Sequence, residues 1–273
     1  MRAEPSSPVA RTCSPASSSG VSCCGGSAAP VRGGATGTGL GGRGTGHSAI
    51  VPVAPVVVFD VNETLSDMGP LTDRFTDLGA PGHLAPLWFA GLLRDAFALT
   101  AAGGSERFAV LADAQVRTVL HGVEIDRDLD AAVAHVMDGF LALSVHPDVE
   151  PGVRALHAAG YRLVTLSNGA ASVAEGLLDR AGLRAEFDAV LSVEEAGVWK
   201  PAAGSYAYAA RVCGVDPADV VLTAVHPWDV DGAARAGLRT AYVDRTGAPY
   251  PSYCHRPDHT VTDLAALASV LAG

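Results

Sequence analysis

From residue 147 to the C terminus, short apolar runs rich in β-branched residues alternate strictly with stretches of helical spacing. A helix over 150–159 leads into a strand at Tyr161–Leu166, then a helix at 171–181 and a strand at Ala189–Leu191. A helix from Ser205 to Cys213 precedes a strand at Val220–Ala224, a helix at 229–236, a strand at Thr240–Val243 and a last helix at 262–271. Such alternation admits essentially one solution, a parallel sheet with right-handed crossovers and helices on both faces. Upstream, Val56-Val57-Val58-Phe59 has the continuous apolar character of a strand buried on both sides, which makes it a further member of the same sheet.

Between that strand and residue 147 the strand signals vanish. Leu87 to Leu99, Phe108 to Leu120 and Ala132 to Leu141 carry apolar residues near helical spacing, with Gly103-Gly104 and Gly122 between them. The expected organisation is an α/β core of residues 55–68 and 147–273, doubly wound and Rossmann-like, interrupted by an α-helical cap at 69–146. Residues 1–50 differ in kind: eleven are Gly, nine are Ser and none is aromatic. Such a segment buries too little apolar surface to offset its ordering entropy, so a disordered tail is expected. Deleting residues 1–48 should leave activity intact, and a large loss of folded yield would contradict that expectation. Gly37-Thr38-Gly39-Leu40-Gly41-Gly42 matches a dinucleotide-binding pattern, but no strand precedes it and no helix clearly follows.

The net charge of −10 argues against a nucleic-acid partner, which needs a basic face. The longest apolar runs read as far short of a membrane span. Five cysteines without a CxxC pair fit a reducing cytoplasm, with Cys213 expected as a buried, unreactive thiol. No GxSxG elbow is present, which disfavours a Ser-His-Asp hydrolase. His146 and Asp148, in a His-Pro-Asp-Val sequence, are expected as a hinge and helix cap rather than metal ligands. Asp231 is expected in the first turn of a helix.

In an open parallel sheet, reactive groups gather at the carboxyl ends of the strands. Four such ends carry Asp60 with Thr64, then Ser167-Asn168-Gly169, then Lys200 in Val198-Trp199-Lys200-Pro201, then His226-Pro227-Trp228-Asp229. Taken singly, each has an ordinary explanation as a helix cap, turn or surface loop. The order Asp, Ser, Lys, Asp over residues 55–271 resembles the four motifs of the haloacid dehalogenase superfamily, and most of all the L-2-haloacid dehalogenases. The matching pieces are Phe59-Asp60-Val61-Asn62-Glu63-Thr64-Leu65, Leu166-Ser167-Asn168-Gly169, Trp199-Lys200-Pro201 with Tyr206, and His226-Pro227-Trp228-Asp229.

The resemblance implies a covalent reaction in which Asp60 attacks a halogen-bearing carbon by SN2 displacement. Thr64 would hold one carboxylate oxygen, and Lys200 would be the fixed positive charge beside the nucleophile. Asp229, with Lys200, would orient or activate the water that cleaves the ester. Ser167 and Asn168 would bind the substrate carboxylate, with Tyr206 in support. It implies a small 2-halocarboxylate as partner, no cofactor, and homodimerisation as an option for which the sequence identifies no interface.

Two departures separate this chain from the phosphatases of the superfamily. Asn62 stands where they carry an acid, and Val225 stands where they carry a metal-binding Asp. Halide leaves without a proton and without a metal, so both departures agree with carbon–halogen cleavage. Two others separate it from better-known dehalogenases. Phe89 follows Trp88 where an Arg receives the halide, with Arg94 five residues further on, and His226 stands where an Asn is common. His226 and Trp228 could form an alternative halide or substrate pocket with Phe89 and Trp88, although core packing is favoured for Trp88. The competing readings are a phosphatase or other small-molecule hydrolase that kept the nucleophile, and a non-catalytic binding protein.

Overall fold

A computed structural model describes residues 55–272. The expected tail and the Gly37–Gly42 pattern lie outside the described residues. Six parallel strands form one sheet: β1 (Val56–Phe59), β2 (Arg162–Ser167), β3 (Ala189–Ser192), β4 (Val220–Ala224), β5 (Arg239–Val243) and β6 (His259–Val261). Their spatial order is β3-β2-β1-β4-β5-β6, so the chain winds outward in both directions from β1. That central place explains the composition of β1. Val56 and Val58 face one core and Val57 and Phe59 the other, and all four are fully buried. Burial of each such side chain contributes about 1.5–3 kcal/mol.

On one face, Val57, Phe59, Leu163 and Val221 pack against α5 (Val149–Ala158), α6 (Ala171–Arg180) and α10 (Leu264–Ala272). On the other, Val58, Val164 and Leu222 share a core with α8 (Ala203–Cys213) and with Ala233 on α9 (Pro227–Arg235). A four-residue helix, α7 (Val193–Ala196), follows β3 directly. Strand β6 escaped the sequence reading because it is three residues long and only Val261 is buried in it.

The stretch between β1 and α5 is helical: α1 (Leu71–Thr76), α2 (Leu84–Ala101), α3 (Phe108–Leu120) and α4 (Leu129–Leu141). Helix α2 has the length and apolar composition of a membrane span, more than its sequence suggested. Its Trp88, Leu92 and Ala96 are nevertheless fully buried in the same core as α3, and Trp88 Nε1 donates to Ala112 O at 3.0 Å. Trp88 is thus a packing residue. Phe108 on α3 stacks between Phe140 and Trp199, with ring centroids 5.1 and 6.2 Å away, and Trp199 Nε1 donates to Glu106 O at 2.9 Å. These contacts tie the helical insert to the loop that carries Lys200.

Cys213 is buried, and that burial pushes its thiol pKa up. The capping expectation for Asp148 needs correcting. It holds the N-cap position of α5 but makes no side-chain bond there. Its carboxylate accepts instead from Arg245 Nη1 at 2.7 Å and from Leu264 N at 2.9 Å, so it caps the distant α10. Asp231 is not in the first turn as expected: α9 begins at Pro227, which puts Asp229 in the first turn and Asp231 in the second, paired with Arg235.

Candidate active site

The strand register sets the site. Asp60 is the first residue past β1, and its N–H still donates to Thr223 O on β4 at 3.0 Å. The next turn returns Thr64 to Asp60: Oγ1 donates to Asp60 Oδ2 at 2.7 Å and accepts from Val225 N at 3.1 Å. One hydroxyl therefore fixes the loop after β1, the loop after β4 and one carboxylate oxygen. Val225 spends its amide here, and its aliphatic side chain has no donor for a hard cation.

Lys200 enters from the loop after α7. Its backbone N–H donates to Asn168 Oδ1 at 3.0 Å, which joins the loop after β2 to it. Its Nζ donates to Asp60 Oδ1 at 2.8 Å and to Asp229 Oδ2 at 2.7 Å, and all of Lys200 is buried. Asp229, on the first turn of α9, also accepts from Tyr206 Oη at 2.6 Å. Gly232 lets α9 come this close, because a Cβ there would lie 2.7 Å from both Tyr206 Oη and Pro201 Cβ.

The charges follow from this geometry. Burial alone would raise the Asp60 pKa, but the cation of Lys200 and then the bonds and charge of His226 outweigh it, so the carboxyl is held well below the usual range. Burial pushes Asp229 up, with Lys200 opposing, and it pushes the Tyr206 phenol up as well. Lys200 is raised, since Asp229 and Asp60 outweigh its own desolvation. Asp60 is thus ionised and Lys200 charged at neutral pH.

His226, the N-cap residue of α9, lies between two carboxylates. Its Nδ1 is 3.2 Å from Asp60 Oδ2 and its Nε2 is 2.7 Å from Glu63 Oε2. Facing an acceptor on each side, both nitrogens must be donors, so the ring is an imidazolium. Burial would lower its pKa, but the bonds it donates to Asp60 and Glu63 prevail and raise it to about 9. Trp228 stacks on the ring at 4.9 Å and Phe89 lies 6.4 Å from it. Glu63 has φ of 62°, a left-handed conformation that costs a non-glycine residue about 1–2 kcal/mol. That turn delivers its carboxylate to His226.

A cavity of about 450 Å³ opens beside this group. Its walls include Phe89 from α2, Val225, His226, Glu63 and Arg245. Of the residues expected to meet substrate, Phe89 and His226 line it. Trp228 backs His226 and packs on Phe97 at 5.0 Å instead. Tyr206 is fully buried behind Asp229, so it supports a carboxylate and has no exposed face. Ser167 and Asn168 are buried at the end of β2, where Ser167 Oγ accepts from Gly169 N and Asn168 Oδ1 is taken by Lys200 N. Arg94 supplies no cation to the cavity wall, since it pairs with Asp95 at the surface. Asn62 lines a separate small crevice beside Phe140 and Arg180.

The sequence reading passed over two residues. These are Glu63, which lies within the segment around Asp60 without a signal of its own, and Arg245, which belongs to none of the four motifs. Arg245 Nη2 donates to Thr64 O at 2.9 Å, with Nη1 on Asp148, which clamps the turn after Asp60.

Residues 54–237 match the model of the haloacid dehalogenase-like hydrolases. The chain belongs to this family. As a haloacid dehalogenase-like hydrolase it is 26% identical over 219 residues to haloacetate dehalogenase H-2 of Moraxella sp. (strain B), covering 79% of this chain and 97% of the relative. It is 29% identical over 218 residues to (S)-2-haloacid dehalogenase 4A of Burkholderia cepacia, covering 79% and 94%. Among solved structures, the L-2-haloacid dehalogenase of Xanthobacter autotrophicus with chloropropionic acid covalently bound superposes with a TM-score of 0.73 at 26% identity. That superposition covers 81% of this chain and 99% of the other. The α/β core and the helical insert of this family member are therefore a shared architecture.

Proposed function

We propose that this hydrolase cleaves the carbon–halogen bond of small (S)-2-haloacids through an ester on Asp60, without a metal. The observation that carries the proposal is how Asp60 is held. Its charge is balanced by a buried ammonium, and the two positions where superfamily phosphatases place an acid and a metal-binding carboxylate hold Asn62 and Val225. The activities named for the relatives, and the covalent chloropropionic acid complex, support the same reading.

The two oxygens of Asp60 are unequal. Each has two in-plane lone pairs. Oδ2 meets Thr64 and His226, while Oδ1 meets Lys200 alone and keeps one pair free. Oδ1 therefore attacks C2, the halide leaves from the opposite side, and the carbon inverts. A partly dry site strips solvation from an otherwise poor nucleophile. Lys200 offsets repulsion between Asp60 and the substrate anion, which for two unit charges 4 Å apart at an effective dielectric of 20 is about 4 kcal/mol.

Water then attacks Cγ of the ester. Asp229 takes one proton from it, and the tetrahedral intermediate collapses with cleavage of Cγ–Oδ1. Lys200 gives a proton to the departing alkoxide and recovers one from Asp229. The product is a 2-hydroxy acid with the former Oδ1, and Asp60, which has taken the oxygen of water, returns to its carboxylate form as the second proton of that water is released to solvent. Phe89 offers the departing halide an uncharged ring in place of a cation.

The test supplies L-2-chloropropionate and an aryl phosphate, each with EDTA or Mg²⁺. Halide release that EDTA leaves unchanged is expected. Phosphate release that requires Mg²⁺, with no halide from the haloacid, would overturn the proposal in favour of a phosphatase.

A further inference from the structure

We propose that His226 Nδ1–H and Thr64 Oγ1–H form the oxyanion hole for hydrolysis of the Asp60 ester, and that Glu63 is the positioning residue that holds the imidazole for this task. The inference rests on the dehalogenase reading above and gives its second half-reaction a named electrostatic device. Once Oδ1 has bonded to substrate carbon, Oδ2 is the ester carbonyl oxygen. Attack of water at Cγ moves the carbonyl electron pair onto Oδ2, and collapse returns it as Cγ–Oδ1 breaks. Two donors already aim at that atom, Thr64 at 2.7 Å and His226 at 3.2 Å. Donors fixed in advance at an oxygen that gains charge are the most effective form of electrostatic catalysis.

The surroundings of the ring fit this role better than the alternatives. With both nitrogens donating, His226 has no lone pair to act as a general base towards water. Its charge lies beside Oδ2, on the nucleophile's own side of the reacting carbon, so it cannot receive a halide that departs from the far side. On this reading His226 acts on the ester oxygen rather than as part of a halide pocket with Trp228, Phe89 and Trp88. The ring is oriented by Glu63 on Nε2 and by stacking on Trp228 at 4.9 Å. The turn that supplies Glu63 is clamped at its backbone, where His146 Nε2 meets Glu63 O at 3.0 Å. The charged groups that meet the imidazole are Asp60 and Glu63. Phe89 from α2 and Trp228 from α9 do not titrate, and Lys200 acts on it through Asp60. Esterification neutralises Asp60, and Glu63 then remains to keep the ring charged through the step that needs it.

The measurement is rapid-quench kinetics with L-2-chloropropionate on the full chain, with mass spectrometry of the Asp60 peptide. His226→Ala should release a stoichiometric burst of halide at a rate no slower than the unmodified enzyme. Its steady-state rate should then fall about a hundredfold, the usual cost of one oxyanion donor, while the Asp60 ester accumulates. The burst amplitude counts folded active sites, so poor folding cannot pass for a slow step. Glu63→Gln, at a half-exposed side chain, gives an independent arm. Loss of its charge lets His226 shed its proton more easily, so the alkaline limb of the steady-state rate should move to lower pH. Unchanged turnover in His226→Ala, or a slower burst without ester, would overturn the inference while leaving the dehalogenase reading intact. No halide and no ester from the unmodified enzyme would overturn both.

Discussion

Asp60→Asn should abolish halide release, lowering kcat at least about a thousandfold, while the protein remains folded. The amide is nearly isosteric, can still accept from Thr64 at one atom, and has no anionic lone pair to offer carbon. Folding survives because Lys200 keeps Asp229 at 2.7 Å, so the buried ammonium is not stranded. Halide release and a urea unfolding curve on the same preparation check both halves of the prediction. Activity within tenfold of the unmodified enzyme would mean that water attacks the substrate directly. A non-catalytic binding protein would instead release no halide in either form.

Lys200→Met should be the most destabilising single change in the site. It leaves Asp60 and Asp229 buried without the cation that both share. Breaking a buried ion pair by removing one partner costs about 3–5 kcal/mol. With a urea m-value of about 2 kcal/mol/M, the midpoint should fall by roughly 1.5–2.5 M. Activity on the folded fraction should fall about a thousandfold, because the proton donor to the departing oxygen and the screen for the substrate anion disappear together. The double variant Asp60→Asn with Lys200→Met should be more stable than Lys200→Met alone, since one of the two buried carboxylates that lost the shared cation is then neutral. A double-mutant cycle measures that coupling, and strict additivity would contradict the account of a shared cation.

How much of this was legible in the residues depends on whether a role is local. The sheet was readable because β1, β2, β4 and β5 are each buried on both faces, which forces long apolar runs between helical segments. Strand β6 was not, because an edge strand of three residues has no such constraint. Asp60, Lys200 and Asp229 could be suspected because each follows a strand of the parallel sheet, although α7 stands between β3 and Lys200. The part Tyr206 plays was less visible, as it follows from how closely Gly232 lets α9 approach α8. Glu63 was beyond reach. Its carboxylate meets a histidine 163 residues away only because its own backbone is left-handed, and nothing in Val61-Asn62-Glu63-Thr64 announces that. The Asp148 carboxylate is misleading in the same way, since its sequence neighbours suggest a local cap and its partners are Arg245 and Leu264.

The central claim is that a bond forms between Asp60 and substrate carbon and that water then attacks Cγ of the ester. A single turnover in ¹⁸O-labelled water, with enzyme in excess over L-2-chloropropionate, tests it most directly. The account predicts label in the Asp60 peptide and an unlabelled 2-hydroxy acid, whose new oxygen is the former Oδ1. Label in the hydroxy acid with none in the Asp60 peptide would contradict it.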